Sequence, residues 1–266
     1  MISQENSLPA AIITPFSFPK DFPCNVLSPG ERIIFHAALQ KSGVFAEKCI
    51  CLSIGSKGLI CADGHTVYAL GTVPDVRPQL SSASFRGFLG RRIHAASLPT
   101  SWKKMAKDVL FLKDSTHQYP VLPTDMHIVP VHSPEERRLF AELRRDFLTE
   151  ESGIPIDLDT VQRTLEPIID AILPVLLMRD GRVLGMVSSH FHSAEGAMIN
   201  MLAVRKEYRG HGWGALLLQT YANRLLHHSK TVGLFYSPEN EAAKRLYKGA
   251  GFEKAEEWVM AYGETE

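Results

Sequence analysis

The segment YRGHGWGALLL, Tyr208 to Leu218, constrains the fold more than any other part of the chain, because three glycines alternate with other residues just before a leucine-rich run. Glycine is about 1 kcal/mol less favourable than alanine inside a helix, so Gly210, Gly212 and Gly214 require another explanation. An apolar run from Ala197 to Val204 precedes them, and leucines at helical spacing follow. The pattern predicts a strand, a glycine-rich turn and a helix.

A turn of this kind is suited to binding an anion. The first turn of a helix has N–H groups without intrahelical acceptors, and the helix dipole makes that end electropositive. Side chains at the three glycine positions would keep a phosphate away from these donors, and Arg209 adds a positive charge. The spacing fits neither a Walker loop nor the Gly-x-Gly-x-x-Gly dinucleotide fingerprint. A turn whose glycines serve packing alone is the alternative interpretation.

Two motifs together resemble those of the GNAT acetyltransferase superfamily. Arg209-x-x-Gly-x-Gly after an apolar strand is similar to its acyl-CoA pyrophosphate loop, and the segment from Asn240 to Phe252, NEAAKRLYKGAGF, is similar to its second signature. The motifs follow in the right order, separated by one helix and one strand. The resemblance covers roughly residues 126–264 and is greatest to the branch that includes the C-terminal half of glycine N-acyltransferases.

The resemblance implies a mixed α/β fold, in which helices flank a central, mixed and splayed sheet. It also implies transfer of an acyl group, usually acetyl, from acetyl-CoA to the amine of a small molecule or amino acid by direct attack in a ternary complex. The N–H of Leu202 would stabilise the thioester oxygen, and the Tyr247 hydroxyl would protonate the leaving thiolate. The residues that would bind coenzyme A are Leu202, Ala203 and Val204 on the strand, Arg209, Gly210, His211, Gly212, Trp213, Gly214 and Ala215 in the loop and helix, and Asn240, Ala243 and Tyr247 beyond them.

Two of these residues have simpler alternative roles. Asn240, which would hydrogen-bond the pantetheine, is equally suited to capping the helix that follows it, and Ser237 before Pro238 could also supply that cap. Tyr247 is alternatively an amphipathic residue that packs beside Leu246.

The general base is less evident than the acid. Many relatives carry a glutamate on the strand before the glycine loop, but the aligned residue here is Met198, which cannot accept a proton. Glu195, at the start of that strand, is the candidate base, and His190 and His192 on the preceding strand are alternatives. An amine that arrives neutral would need no base. Met198 also leaves open a non-catalytic acyl-CoA sensor, although Tyr247 favours an enzyme.

The composition limits the class of partner. The 266 residues carry no net charge at neutral pH, which gives no reason to expect a nucleic acid or an anionic membrane as partner. No apolar stretch approaches the ~20 residues that a membrane-spanning helix needs. The four cysteines have no zinc-ligand spacing, and Cys49 and Cys51 suit buried reduced thiols. We therefore expect a cytoplasmic protein without a metal, and the resemblance implies that it acts on a small-molecule amine.

The chain is expected to contain two domains. Tyr119 to Asp125, YPVLPTD, has the composition of a linker, which places a smaller mixed α/β domain at residues 1–125 and the acyltransferase domain at 126–266. The first domain has no Arg-x-x-Gly-x-Gly run. We interpret it as a degenerate copy of the acyltransferase fold that binds no coenzyme A and packs on the acceptor side of the second domain.

Local patterns predict the elements of the first domain. Arg32 to Lys48 favours a helix, and Ile50 to Leu70 alternates as strands do, with Asp63-Gly64 as a hairpin turn. A further helix is predicted near Trp102 to Lys107, followed by a strand at Val109 to Leu112. In the second domain, strands and helices alternate regularly.

Overall fold

A computed structural model describes residues 24–40, 50–54, 58–62, 66–73, 86–112 and 121–263. Its strands are β1 (Ile50–Ile54), β2 (Gly58–Ala62), β3 (Thr66–Gly71), β4 (Gly87–Arg91), β5 (Lys103–Leu112), β6 (Met126–Pro130), β7 (Val175–Arg179), β8 (Arg182–His192), β9 (Ala197–Val204), β10 (Val232–Tyr236) and β11 (Glu253–Tyr262). The α-helices of the described part are α1 (Pro29–Leu39), α2 (Pro134–Ser152), α3 (Leu158–Leu165), α4 (Trp213–Leu226) and α5 (Glu241–Gly249).

All of these strands belong to one mixed sheet in the order β1-β2-β3-β4-β11-β5-β10-β9-β8-β7-β6. Helices cover both of its faces. Two successive residues of β9 illustrate this, because Met198 is buried in a cluster with residues of α1 and Ile199 is buried in a cluster with residues of α4. Helices α2 and α3 lie on the α1 side, and α5 lies on the α4 side. The mixed α/β fold predicted from the sequence is confirmed.

Strand β5 occupies an unexpected place in the sheet. It pairs antiparallel with β10 on one side, where Val109 faces Phe235, and antiparallel with β11 on the other, where Lys107 faces Trp258. The predicted helix near Trp102 to Lys107 is therefore wrong. Pairing with β11 along residues 103–107 fixes an extended conformation there, and such tertiary pairing overrides local propensity. The sheet is continuous across the predicted domain boundary.

The other predicted elements of the first half are found where the structure describes them. The helix expected at Arg32 to Lys48 is α1, which begins three residues earlier, at Pro29, and ends at Leu39. The strands expected within residues 50–70 are β1, β2 and β3, joined in antiparallel pairs. The Asp63-Gly64 turn and Cys49 lie outside the described residues.

A carboxylate of β11 holds the first turn of α1. Glu256 accepts hydrogen bonds from the Ser28 hydroxyl, the Gly30 N–H and the Trp258 indole N–H, each at 2.8 Å. Ser28 is also the N-cap of α1, in a capping box with Glu31. Because the first turn of a helix has N–H groups without intrahelical acceptors, Glu256 supplies from the far end of the chain an acceptor that α1 lacks.

Replacing Glu256 with alanine is expected to lower the free energy of unfolding by about 2–3 kcal/mol, because the buried N–H groups of Gly30 and Trp258 lose their acceptor. The matched control is Glu257→Ala, since the neighbouring Glu257 forms only exposed ion pairs with Lys254 and Arg92. Such pairs contribute about 0–1 kcal/mol. Chemical denaturation of both variants measures the difference, and equal stabilities would contradict this role of Glu256.

Candidate functional site

The parallel strands β9 and β10 separate near their carboxyl ends. They pair only where Ala197, Met198 and Ile199 face residues 232–234. Beyond that point β9 continues to Val204 and β10 to Tyr236. Within the described part of the chain, no other strand pairs with this edge of β9. The two strand ends therefore enclose a cleft. One wall of the cleft is the edge of β9, where backbone N–H and C=O groups are not paired with another described strand.

A bulge in β9 lies in this cleft. The pairing with β8 passes from Asn200 opposite Ser188 to Ala203 opposite Met186, so two residues of β9, Met201 and Leu202, oppose one residue of β8. Met201 has a φ of 56°, in the left-handed region that non-glycine residues seldom adopt. The bulge interrupts the regular ladder at Leu202, the residue whose N–H is the predicted oxyanion donor.

The glycine-rich loop follows β9 and leads into α4. Gly210 and Gly212 both have a φ of 82°, and a Cβ added to either would meet nothing within 4 Å. These two glycines are therefore explained by backbone conformation. Gly214 lies inside the helix, where an added Cβ would make ordinary contacts of 3.7 Å with Val204 and 3.8 Å with Leu246. Neither conformation nor crowding within the protein requires glycine at position 214.

The amino end of α4 presents backbone donors. Gly212 is its N-cap and provides no side-chain cap. The first backbone hydrogen bond of the helix runs from the Leu216 N–H to the Gly212 carbonyl, at 3.1 Å. The N–H groups of Trp213, Gly214 and Ala215 precede it and so have no intrahelical acceptor. This is the geometry in which a helix end binds a phosphate.

The guanidinium of Arg209 is directed away from those donors. It makes a bidentate ion pair with Glu150 in the last turn of α2, at 2.8 and 2.7 Å. Its Nε donates to the Val204 carbonyl at 2.9 Å. This pairing lowers the pKa of Glu150. The sequence suggests that Arg209 adds charge for an anion, whereas the structure places its charge on Glu150, where it ties the loop to α2 and to the end of β9.

Tyr247 lies on α5 beside the cleft. Its ring is edge-on to Tyr236 at 5.7 Å and tilted against Phe252 at 6.3 Å. Burial, with a smaller contribution from the charge of Glu151, raises the pKa of Tyr247 to about 12. Like that of an unperturbed tyrosine, the hydroxyl is protonated at neutral pH, as a general acid must be. The residue does pack against the core, which agrees with its alternative role but does not exclude catalysis.

Asn240 is the N-cap of α5. Its side-chain oxygen accepts a hydrogen bond from the Ala243 N–H at 3.0 Å. The capping interpretation is thus confirmed for Asn240 itself, and Ser237 instead accepts the Asn240 N–H through its backbone carbonyl. The cap uses the oxygen of the amide and leaves its NH₂ group for another contact. A hydrogen bond from that group to pantetheine stays a prediction.

The candidate bases lie at different distances from the bulge. Met198 is fully buried. Glu195 lies in the turn before β9, where an ion pair with Lys230 at 2.6 Å lowers its pKa. Five residues of extended strand separate the start of β9 from Leu202, a span of about 17 Å. The structure does not bring Glu195 to the cleft, and its role as base stays a prediction that this placement does not favour.

The two histidines differ from each other. His190 Nδ1 lies 3.1 Å from the Asn200 amide nitrogen, beside the bulge in β9. His192 lies further from it, and burial lowers its pKa.

Sequence reasoning missed Asn200, and it also missed Glu150 and Glu151 at the end of α2. No local signal marks these two glutamates, because they belong to a helix whose polar residues read as a solvated face.

The described residues include neither a metal-binding cluster nor a membrane-spanning helix. No group of three or more histidines, cysteines, aspartates or glutamates among them could hold a metal ion. No helix among them is long and apolar enough to cross a membrane.

Comparisons with known proteins agree with this geometry. Residues 137–252 match the model of the acetyltransferase (GNAT) family. A GCN5-related N-acetyltransferase from Kribbella flavida has a similar structure, with a TM-score of 0.60 and 15% identity over 89% of this chain and 96% of that one. A protein of Novosphingobium aromaticivorans assigned to the GNAT family has a TM-score of 0.60 and 14% identity over 90% of this chain and 100% of that one. A tandem GNAT protein from the clavulanic acid biosynthesis pathway has a TM-score of 0.55 and 16% identity over 95% of this chain and 91% of that one.

No curated protein matches the sequence. At these identities the structural likeness establishes the fold, while the family model identifies the part of the chain that contains the cleft, the loop and Tyr247. Residues 137–252 thus match the acetyltransferase (GNAT) family, and they lie in a chain that has the fold of GNAT proteins.

Proposed function

We propose that the protein is an N-acetyltransferase that transfers an acetyl group from acetyl-CoA to the amine of a small molecule. The observation that carries the proposal is the cleft between β9 and β10, because it opens beside the amino end of α4. One end of the cleft thus offers donors for a pyrophosphate, and its wall offers a backbone edge along which pantetheine amides can pair.

Acetyl-CoA, when bound, supplies the acyl group as an activated thioester. The N–H groups of Trp213, Gly214 and Ala215 would hold the pyrophosphate, and the backbone of Leu202 to Val204 would line the pantetheine. The Leu202 N–H would stabilise the negative charge that develops on the thioester oxygen, an effect worth about 3–4 kcal/mol for a fixed donor. As the neutral amine forms the new N–C bond and the C–S bond breaks, the Tyr247 hydroxyl would give its proton to the sulfur, and the proton that the nitrogen loses would pass to solvent.

The alternative is a sensor that binds acyl-CoA without turnover, suggested by Met198 in place of a basic residue. Tyr247 argues against it, because a sensor without turnover would need no proton donor at the position where the resemblance places the general acid. We propose that residue 125 separates two parts with different roles, and not two separately packed units. β5 lies before residue 125, yet it completes the sheet between β10 and β11, which lie after it. The first part has no loop motif, and we propose that it binds no coenzyme A and helps to choose the acceptor.

The phosphate-binding role of α4 can be tested by a charge at Ala215, the third residue of the helix. Ala215→Glu favours the helix, because a carboxylate suits its positive end, but it repels the pyrophosphate. We expect at least tenfold weaker binding of acetyl-CoA, about 1.4 kcal/mol or more. Ala215→Gln has the same size without the charge and should lose less affinity. Calorimetry on both folded variants measures this, and equal affinities for wild type and Ala215→Glu would contradict the assignment.

The role of Tyr247 as acid predicts a separation between binding and turnover. Tyr247→Phe keeps the ring that packs on Tyr236 and Phe252, so the acetyl-CoA affinity should stay within a few-fold of wild type. Turnover should fall by about 10²–10⁴, the usual contribution of general acid catalysis. Thiol release is measured with a panel of amines under single-turnover conditions. Undiminished turnover would reduce Tyr247 to a packing residue, and tight binding without turnover on any amine would favour the sensor.

A further inference from the structure

Helix α2 buries a cation that has no anionic partner among the described residues. The Nε atom of Arg144 is buried without a hydrogen-bond acceptor, and no carboxylate of the described chain pairs with its guanidinium. The other arginines of α2, namely Arg137, Arg138 and Arg145, each have a carboxylate partner. Burying a charge without a partner is costly, so an orphaned guanidinium in a folded protein requires an explanation.

Arg144 lies on the side of α2 that packs against the sheet. Residues three and four positions apart share one face of a helix, which places Phe140, Phe147 and Leu148 around Arg144. These three residues belong to one apolar cluster with Met201, a residue of the bulge in β9. The Arg144 side chain therefore begins over the part of the sheet that contains the bulge.

The link between the ends of α2 and β9 gives the position of Arg144 along the cleft. Arg209 joins Glu150 of α2 to the Val204 carbonyl of β9. Arg144 precedes Glu150 by about 9 Å of helix, and Leu202 precedes Val204 by about 7 Å of strand. Both lengths lead back from the same point, and the shared apolar cluster shows that helix and strand stay in contact on the way. Arg144 is therefore near the level of the predicted oxyanion donor.

The groups proposed to hold acetyl-CoA lie on the opposite face of the sheet. Helix α4, with its N–H donors, and α5, with Tyr247, pack in a different cluster from α2. The face that carries α2 is thus left for the acceptor. On α2 itself, Glu151 lies about 10 Å further along the axis than Arg144. It does not contribute to the pKa of Arg144, which burial lowers without any opposing charge.

We propose that Arg144 binds a carboxylate of the acceptor, so that the protein acetylates amines that carry a carboxylate, as amino acids do. The inference rests on the proposed acyl transfer and names its substrate class. A guanidinium binds both oxygens of a carboxylate through two parallel hydrogen bonds, and one negative charge balances its single positive charge. Because the ion pair holds the carboxylate and not the amine, the amine stays free to lose its proton to solvent and to attack the thioester.

Glycine, β-alanine and γ-aminobutyrate, each compared with its own amide, test this preference at increasing separations of amine and carboxylate. The amide has nearly the same shape without the charge. Wild type should have a KM at least tenfold lower for at least one of these amino acids than for its amide. The amine of an amide is the less basic one and more of it is neutral, so this difference works against the expected preference.

Arg144→Met removes the charge and keeps a side chain of similar length. It should raise the KM for the preferred amino acid at least tenfold and abolish the preference over the amide, with the acetyl-CoA affinity within twofold of wild type. Chemical denaturation without ligand should find it at least as stable as wild type, because methionine needs no partner when buried. A guanidinium that served only the fold would instead lose stability when replaced.

Arg145→Met is the control at the adjacent position, where the arginine is paired with Asp146, and it should keep the wild-type KM and preference. An Arg144→Met variant with the wild-type KM and preference overturns the inference while leaving acyl transfer intact, as does a wild type that prefers none of the amino acids. If wild type acetylates no amine, the proposed function fails. Calorimetry of the same amino acids with the protein and coenzyme A then decides the inference separately. Equal affinities for wild type and Arg144→Met, or no binding to wild type, overturn it.

Discussion

The pairing of β5 between β10 and β11 is the constraint on which the rest of the structure depends. β10 is paired with β5 along its whole length, from Val232 to Tyr236, but with β9 along only three residues. One edge of β10 is thereby fixed while the other opens, so the cleft has a rigid wall. The same strand joins the two halves of the chain, since β5 precedes the predicted linker and both of its partners follow it. The site cannot be separated from the first half without exposing two strand edges.

Helices on the two faces of the sheet supply different groups to the cleft. On one face, α4 and α5 bring the backbone donors and Tyr247 to the end of β9. On the other, α2 brings Glu150. Arg209 connects the faces, because it binds both a carboxylate of α2 and the last carbonyl of β9.

The sequence predicted those features that depend on neighbouring residues. The glycine loop and the Asn240 cap follow from local patterns, and the structure places both beside the cleft. The segment near Trp102 to Lys107 was mispredicted as helix because its partners lie about 150 positions later, in β11. The bulge at Met201 and the partner of Arg209 likewise arise from contacts between distant elements. No pattern of neighbouring residues could reveal them. The cytoplasmic location that we expect from the sequence stays a prediction.

A crystal structure with acetyl-CoA is the most direct test of the cleft between β9 and β10 as the acyl-CoA site. The pyrophosphate is expected within hydrogen-bond distance of the N–H groups of Trp213 to Ala215. The thioester oxygen is expected to accept a hydrogen bond from the Leu202 N–H. The thioester sulfur is expected to face the Tyr247 hydroxyl. Acetyl-CoA bound elsewhere on the protein, with the cleft filled only by solvent, would contradict this assignment.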